Sequence, residues 1–173
     1  MKMTGREVRN LLEMSYGLWA NTMTGPDDHL LQLDRRTHNG RLCVGIRHLT
    51  FNFDSAAGID YEVDVTKPDG EKVRILRMTD GRPFDELHAY TVVMNSYRVN
   101  GGGELLTRGA GIAKEELRNR LISQSPQDLR QYLMEEIERR GTVSPKPNNN
   151  WRFVPEAWTR PAAQRDRKLL FGN

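Results

Sequence analysis

Residues 95–104, Asn95-Ser-Tyr-Arg-Val-Asn-Gly-Gly-Gly-Glu104, set an aromatic ring and two carboxamides directly before three consecutive glycines. Backbone lacking Cβ atoms can approach a flat or anionic ligand closely and adopt positive φ, at an entropic cost that an ordinary turn avoids. A loop that needs only unusual dihedrals would have the same composition, and the tract alone favours that plainer reading. The preceding residues, from Tyr90, are rich in β-branched types and predict a strand over 90–98 that stops at the glycines.

Other chemistries find less support. A metal centre needs several His, Asp or Cys ligands that converge, and His29, His38, His48 and His88 include no i, i+4 pair. Asp27-Asp28-His29 has the D-x-H form of two-metal phosphoesterases but follows no buried strand and has no Asn-His partner, which favours chance or end-capping. Cys43 sits in an apolar extended stretch, which suggests core rather than nucleophile, and no G-x-S-x-G occurs. The glycines are not followed by Lys-Ser/Thr and do not form G-x-G-x-x-G, so neither a Walker loop nor a dinucleotide fold is indicated. Glu115-Glu116 and Glu135-Glu136 are adjacent on helices and point apart, as solvated residues do.

The composition suits one domain spanning 1–173, with 37% hydrophobic residues and a net charge of +3. Residues 142–173 hold six cations against two acids, a surplus of +4 that leaves −1 for the remainder. A nucleic-acid footprint needs a concentrated stripe on a folded face. Basic residues interleaved with Trp151, Phe153 and Trp158 instead predict an irregular wrap over the domain, with Leu169, Leu170 and Phe171 packed back, so nucleic acid is disfavoured as a partner. No apolar run approaches membrane-spanning length and no signal-peptide core is present on this chain. One cysteine excludes an internal disulfide framework.

The elements that would carry these residues can be sketched. Thr4-Gly-Arg-Glu7 is a capping box, and Val8, Leu11, Leu12, Ser15, Tyr16 and Trp19 continue a helix from about 5 to 20. Residues 21–41 read as polar turns and 42–53 as extended. Ile59, Tyr61, Val63 and Val65 alternate with Asp60, Glu62 and Asp64, a half-buried strand over 58–66 that turns at Pro68-Asp-Gly70 into a second strand over 72–78. A short helix is expected over 113–122. Ser125-Pro126 opens another, with Leu129, Tyr132, Leu133 and Ile137 as its apolar stripe and Gly141 as its stop. The fold class is α+β, a mixed or antiparallel sheet with helices packed on it.

In order along the chain, Met3-Thr-Gly-Arg-Glu-Val8, Asn52-Phe-Asp-Ser-Ala-Ala-Gly-Ile59, Lys67-Pro-Asp-Gly70, Gly81-Arg-Pro-Phe84, Asn95-Ser-Tyr-Arg-Val-Asn-Gly-Gly-Gly103 and Asn150-Trp-Arg-Phe-Val-Pro155 resemble the C-terminal domain of the 5'-nucleotidase family. That family includes UDP-sugar hydrolases and 2',3'-cyclic-nucleotide 2'-phosphodiesterases. The resemblance implies a nucleoside or nucleotide ligand bound here. It also implies a separate N-terminal metallophosphoesterase domain that holds two divalent metal ions and performs hydrolysis, so that this chain alone is inactive and holds no cofactor.

By position Tyr97 is then the ring that stacks on the base, surrounded by Asn95, Asn100, Gly101, Gly102, Gly103 and Glu104, with Ser55 in a loop lining the same cleft. Where many members carry an Asp after two glycines, this chain has Gly103 followed by Glu104. The family's second stacking aromatic and its phosphate-facing arginines belong to a segment preceding Met3, which leaves an edge near the first helix that could pair two chains as a homodimer. The family also implies a periplasmic or cell-surface location.

Overall fold

The structure is a computed structural model that describes residues 1–172 and, of His38, Arg41 and Leu42, the backbone alone. It is an α+β arrangement of helices on three small sheets. The first strand, β1 (Lys2–Thr4), leads into helix α1 (Gly5–Gly17), and the expected capping box is in place. Thr4 Oγ1 accepts from the Glu7 amide at 3.2 Å, and the Glu7 carboxylate accepts from the Thr4 amide at 2.8 Å. Gly5 is obligatory at the first turn, since a Cβ there would stand 2.3 Å from the Asp85 carbonyl oxygen.

A hairpin follows, β2 (Leu33–His38) and β3 (Arg41–Ile46), closed by Asn39-Gly40 with positive φ at both residues. That is the type I′ signature, and its right-handed twist suits a two-residue loop. The expected division into polar turns to 41 and extended chain to 53 is therefore corrected, because strand pairing begins at Leu33. Cys43 is exposed on β3 rather than in the core. A short 3₁₀ turn, Thr50–Asn52, ends the extended stretch.

The central sheet has three strands, in the order Val73–Met78, Ile59–Asp64, Trp151–Val154. Strands β4 (Ile59–Asp64) and β5 (Val73–Met78) form the antiparallel hairpin the alternation predicts. Strand β7 (Trp151–Val154) joins β4 in parallel, and helix α4 (Glu156–Phe171) follows it, so 142–173 holds a strand and a long helix where an irregular wrap was expected. Trp158 packs inward as expected, whereas Leu169 and Phe171 are exposed. Ile59, Tyr61 and Val63 of β4 meet Leu11, Leu12 and Tyr16 of α1 in the main core. Tyr16 lies edge-on to Phe53, Trp151 and Phe153, and its hydroxyl shares a 2.9 Å hydrogen bond with that of Tyr61. Burial raises the pKa of both phenols.

On the sheet's other face Glu62 is clamped between its register partners, Arg74 of β5 and Arg152 of β7. Those two guanidiniums hold its carboxyl below the ordinary range. Glu13 of α1 is buried and accepts from the Lys72 amide at 3.0 Å and the Val73 amide at 2.7 Å. Desolvation pushes its pKa up despite those bonds.

The strand expected over 90–98 is far shorter. Strand β6 (Ala89–Thr91) pairs with β1, and Ser96–Val99 is a helical turn, α2. The outer amides of β1 are already engaged, Lys2 with the Arg120 carbonyl at 2.8 Å and Thr4 with Glu7, so the expected open edge beside α1 is closed. Residues 113–122 hold only a 3₁₀ turn at Lys114–Glu116 in place of a helix. Helix α3 (Leu129–Arg140) is capped by Asp128, not Ser125, and none of its residues is buried, so its apolar stripe does not enter the core.

Candidate functional site

Tyr97 stands on α2, and α2 exists because Asn95 caps it. The Asn95 side-chain oxygen accepts from the Arg98 amide at 2.9 Å, which turns the chain out of the extended conformation. The turn throws Tyr97 outward, with 47% of the residue exposed. Arg98, next along, points inward and is 3% exposed.

All five N–H donors of the Arg98 guanidinium have acceptors. Nε and Nη2 grip the Asp54 carboxylate at 2.8 Å each. Nη2 also donates to the Phe51 carbonyl at 3.1 Å, and Nη1 donates to Asn52 Oδ1 at 2.6 Å and to the Gly102 carbonyl at 3.1 Å. Forked pairing of this kind fixes geometry as well as charge. Asp54 is held in turn, since its backbone amide donates to Ser15 Oγ at 2.7 Å and its carbonyl accepts from that hydroxyl at 2.8 Å. Arg98 thus ties the 51–54 segment, the glycine tract and α1 into one frame beneath Tyr97.

The glycines serve that frame. A Cβ on Gly102 would lie 2.4–2.6 Å from three consecutive atoms of the Tyr97 ring, so one face of the ring rests on this residue. A Cβ on Gly103 would stand 1.8 Å from Asn52 Oδ1 and 2.3 Å from Arg98 Nη1, at a φ of +70°. Gly101 is left-handed at φ 85°. Glu104 shares that conformation at φ 60°, uncommon for a residue with a side chain, and pairs with exposed Arg108 at 2.8 Å. Asn100 closes α2, its amide donating to the Ser96 carbonyl at 3.0 Å.

The structure therefore places Asn95, Tyr97, Asn100 and Gly101–Glu104 in one continuous turn, in which Gly102 lies against the half-exposed Tyr97 ring, Gly103 against Asn52 and Arg98, and Glu104 beside Arg108. Ser55 lines a different depression, an open polar cleft of about 440 Å³ walled by Ala56, Ala57 and residues 147–151. Asn150 braces that cleft by donating to the Ala56 and Ile59 carbonyls at 2.7 Å. Sequence reasoning missed Phe51, Asn52 and Arg98. The first two stand in or beside a quoted motif, and Arg98 follows the ring directly, but burial of an arginine leaves no periodic signature.

Of the histidine candidates, His29 Nδ1 lies 2.5 Å from the buried Asp166 carboxylate of α4, which also accepts from the Leu31 amide at 2.8 Å. The Asp28 carboxylate caps the Thr24 and Gly25 amides at 2.6 and 3.1 Å. The His38 side chain lies outside the described residues. Among the described residues no group of three or more His, Cys, Asp or Glu could hold a metal ion. Much of the C-terminal basic surplus is spent internally, with Arg152 on Glu62, Arg160 on Glu156, and Arg165 on the Pro26 and Asp28 carbonyls.

The family described as 5'-nucleotidase, C-terminal domain matches residues 1–108, more than half of the chain. The chain belongs to this family. Its match to the trifunctional nucleotide phosphoesterase protein YfkN of Bacillus subtilis is 31% identical over 172 residues, covering 92% of the chain but 10% of the relative. A 2',3'-cyclic-nucleotide 2'-phosphodiesterase/3'-nucleotidase of Haemophilus influenzae is 30% identical over 166 residues, covering 90% and 23%. The chain thus spans between a tenth and a quarter of these relatives. A crystal structure of a Staphylococcus aureus protein assigned as a 5'-nucleotidase shares the fold, with a TM-score of 0.54 at 18% identity over 88% of the chain and 26% of that protein. The 5'-nucleotidase C-terminal domain match includes β1, α1, the β4–β5 hairpin and the whole Tyr97 loop, and it ends before α3 and β7. Among the described residues no helix is long and apolar enough to cross a membrane.

Proposed function

We propose that this domain supplies the base-binding wall for a nucleotide or cyclic-nucleotide substrate, and that hydrolysis is performed by a metallophosphoesterase domain carrying two divalent metal ions. Phosphoesters of nucleosides as the substrate class are supported by relatives named as a trifunctional nucleotide phosphoesterase protein and a 2',3'-cyclic-nucleotide 2'-phosphodiesterase/3'-nucleotidase. One observation carries the reading. The Tyr97 ring is seated on Gly102 by one face and braced by the Arg98 frame, and about half of the residue, 47%, is exposed to water. A ring fixed before the ligand arrives loses little rotamer entropy on binding.

Asn95, Asn100 and Gly101–Glu104 form the surroundings of the stacked base, with the Glu104 carboxylate, directly after the glycines, as the acceptor for sugar hydroxyls. Ser55 belongs to a neighbouring polar subsite. The reading places the whole protein in the periplasm or at the cell surface.

Stacking on an aromatic side chain contributes roughly 1–3 kcal/mol per base and accepts any base. Isothermal titration of this chain with adenosine and with uridine tests the proposal. Tyr97→Ala is expected to weaken both by about 5- to 150-fold. Affinity unchanged by Tyr97→Ala, or affinity for oligonucleotides with a steep salt dependence in place of nucleoside binding, would contradict it.

A further inference from the structure

We infer that Phe51 is a second wall of the base subsite, meeting the edge of a planar base whose face lies on Tyr97. The inference rests on the base-stacking reading and adds a residue to it. Phe51 is 61% exposed, and its ring stands 6.2 Å from that of Tyr97 with the planes 84° apart. Two rings at right angles form a corner. Because Gly102 occupies one face of Tyr97, a planar group can stack only on the opposite face, and a ligand lying there near Phe51 meets that ring nearly perpendicular to its own plane. Edge-to-face contact is a favourable aromatic geometry, since the electron-poor rim of one ring faces the electron-rich surface of the other.

A single exposed phenylalanine requires no explanation. What distinguishes Phe51 is that its backbone is immobilised. It lies on the Thr50–Asn52 3₁₀ turn, and its carbonyl accepts from Arg98 Nη2. The next residue, Asn52, is bonded to both Arg98 and the Gly103 carbonyl. The same guanidinium holds the Gly102 carbonyl under Tyr97 and lies 5.3 Å from that ring's centroid. One buried arginine therefore sets the separation of two exposed aromatic rings, an arrangement that offers a planar ligand one ring to stack on and a second at right angles to it. The sugar, which has no flat face, gains nothing from the corner.

Titrations of adenosine and of ribose 5-phosphate into the wild-type chain, Phe51→Ala, Phe51→Trp and Tyr97→Ala test this, with a thermal melt of each. Phe51→Ala is expected to weaken adenosine by about threefold to tenfold, the range of an aromatic contact, with an unchanged melting midpoint and restoration by Phe51→Trp. The response to ribose 5-phosphate is expected to be the same in wild type and Phe51→Ala. Adenosine affinity lowered by Tyr97→Ala but untouched by Phe51→Ala would overturn the Phe51 inference and leave the stacking reading standing. An equal loss for ribose 5-phosphate would overturn it too, because the contact would then not be to the base. No adenosine binding by the wild-type chain would remove both.

Discussion

Gly102 and Gly103 do different work, although the sequence presents them as equivalent. Gly103 needs both its left-handed φ of +70° and its missing Cβ, because Asn52 and Arg98 fill that space. Gly102 needs only the missing Cβ, because the Tyr97 ring lies there. Gly103→Ala should therefore destabilise the domain by about 2–4 kcal/mol, combining left-handed strain with overpacking. Gly102→Ala should lower the melting midpoint by only a few degrees, since a half-exposed ring can swing away, yet it should abolish the benefit of Tyr97 for adenosine. Denaturant unfolding and nucleoside titration of the two variants check this. Equal effects on stability would show that the glycines are interchangeable after all. The tract was legible in the sequence as a place of close approach. What approaches it was not, because the partners Asn52 and Arg98 come from segments far apart in the chain and are themselves polar.

The hairpin and the capping box were readable because each is local. Val63 next to Asp64, or Thr4 three residues before Glu7, states its own structure. The boundary at Asn95 was misread because β-branched residues from Thr91 to Val93 outweighed a capping carboxamide whose benefit shows only once the chain turns. Two carboxylates give the elements opposite pH dependences. The pKa of Glu62, clamped by Arg74 and Arg152, is lowered by folding, so its stabilisation is present above the ordinary carboxylate range and is lost as pH falls through the folded value. The pKa of Glu13 is raised by desolvation, so its contribution is largest in acid and declines as pH rises from the ordinary carboxylate range through the folded value. Melts of wild type, Glu62→Gln and Glu13→Gln between pH 3 and 7 separate them. Glu62→Gln is expected to flatten the acid limb at a cost of about 1 kcal/mol at neutral pH. Glu13→Gln should cost about 1–3 kcal/mol, because one of the two buried amides at Lys72 and Val73 loses its acceptor. An acid limb unchanged in Glu62→Gln would show that the clamp is not what titrates.

For the whole molecule, the α+β class and the family were legible, but the C-terminal third was not. β7 joins β4 in parallel across about ninety residues, and no turn signal announces a pairing at that separation. Helix α3 shows the converse, with an apolar stripe at helical spacing that the domain leaves outside its core. Such a stripe records amphipathicity without naming a partner. The frame around Arg98 is also a property of the whole molecule, since it joins α1, the 51–54 segment and the glycine tract beneath the half-exposed Tyr97 ring.

The most direct test of that frame's purpose is the aromatic ¹H–¹³C NMR spectrum of the protein during titration with adenosine, with the Tyr97 signal assigned from Tyr97→Leu. A base stacked on the open face should move the Tyr97 ring resonances upfield and saturably, with Phe51 shifting alongside. Tyr97 resonances that stay fixed while only those of Trp151 respond would place the ligand in the Ser55 cleft and contradict the account.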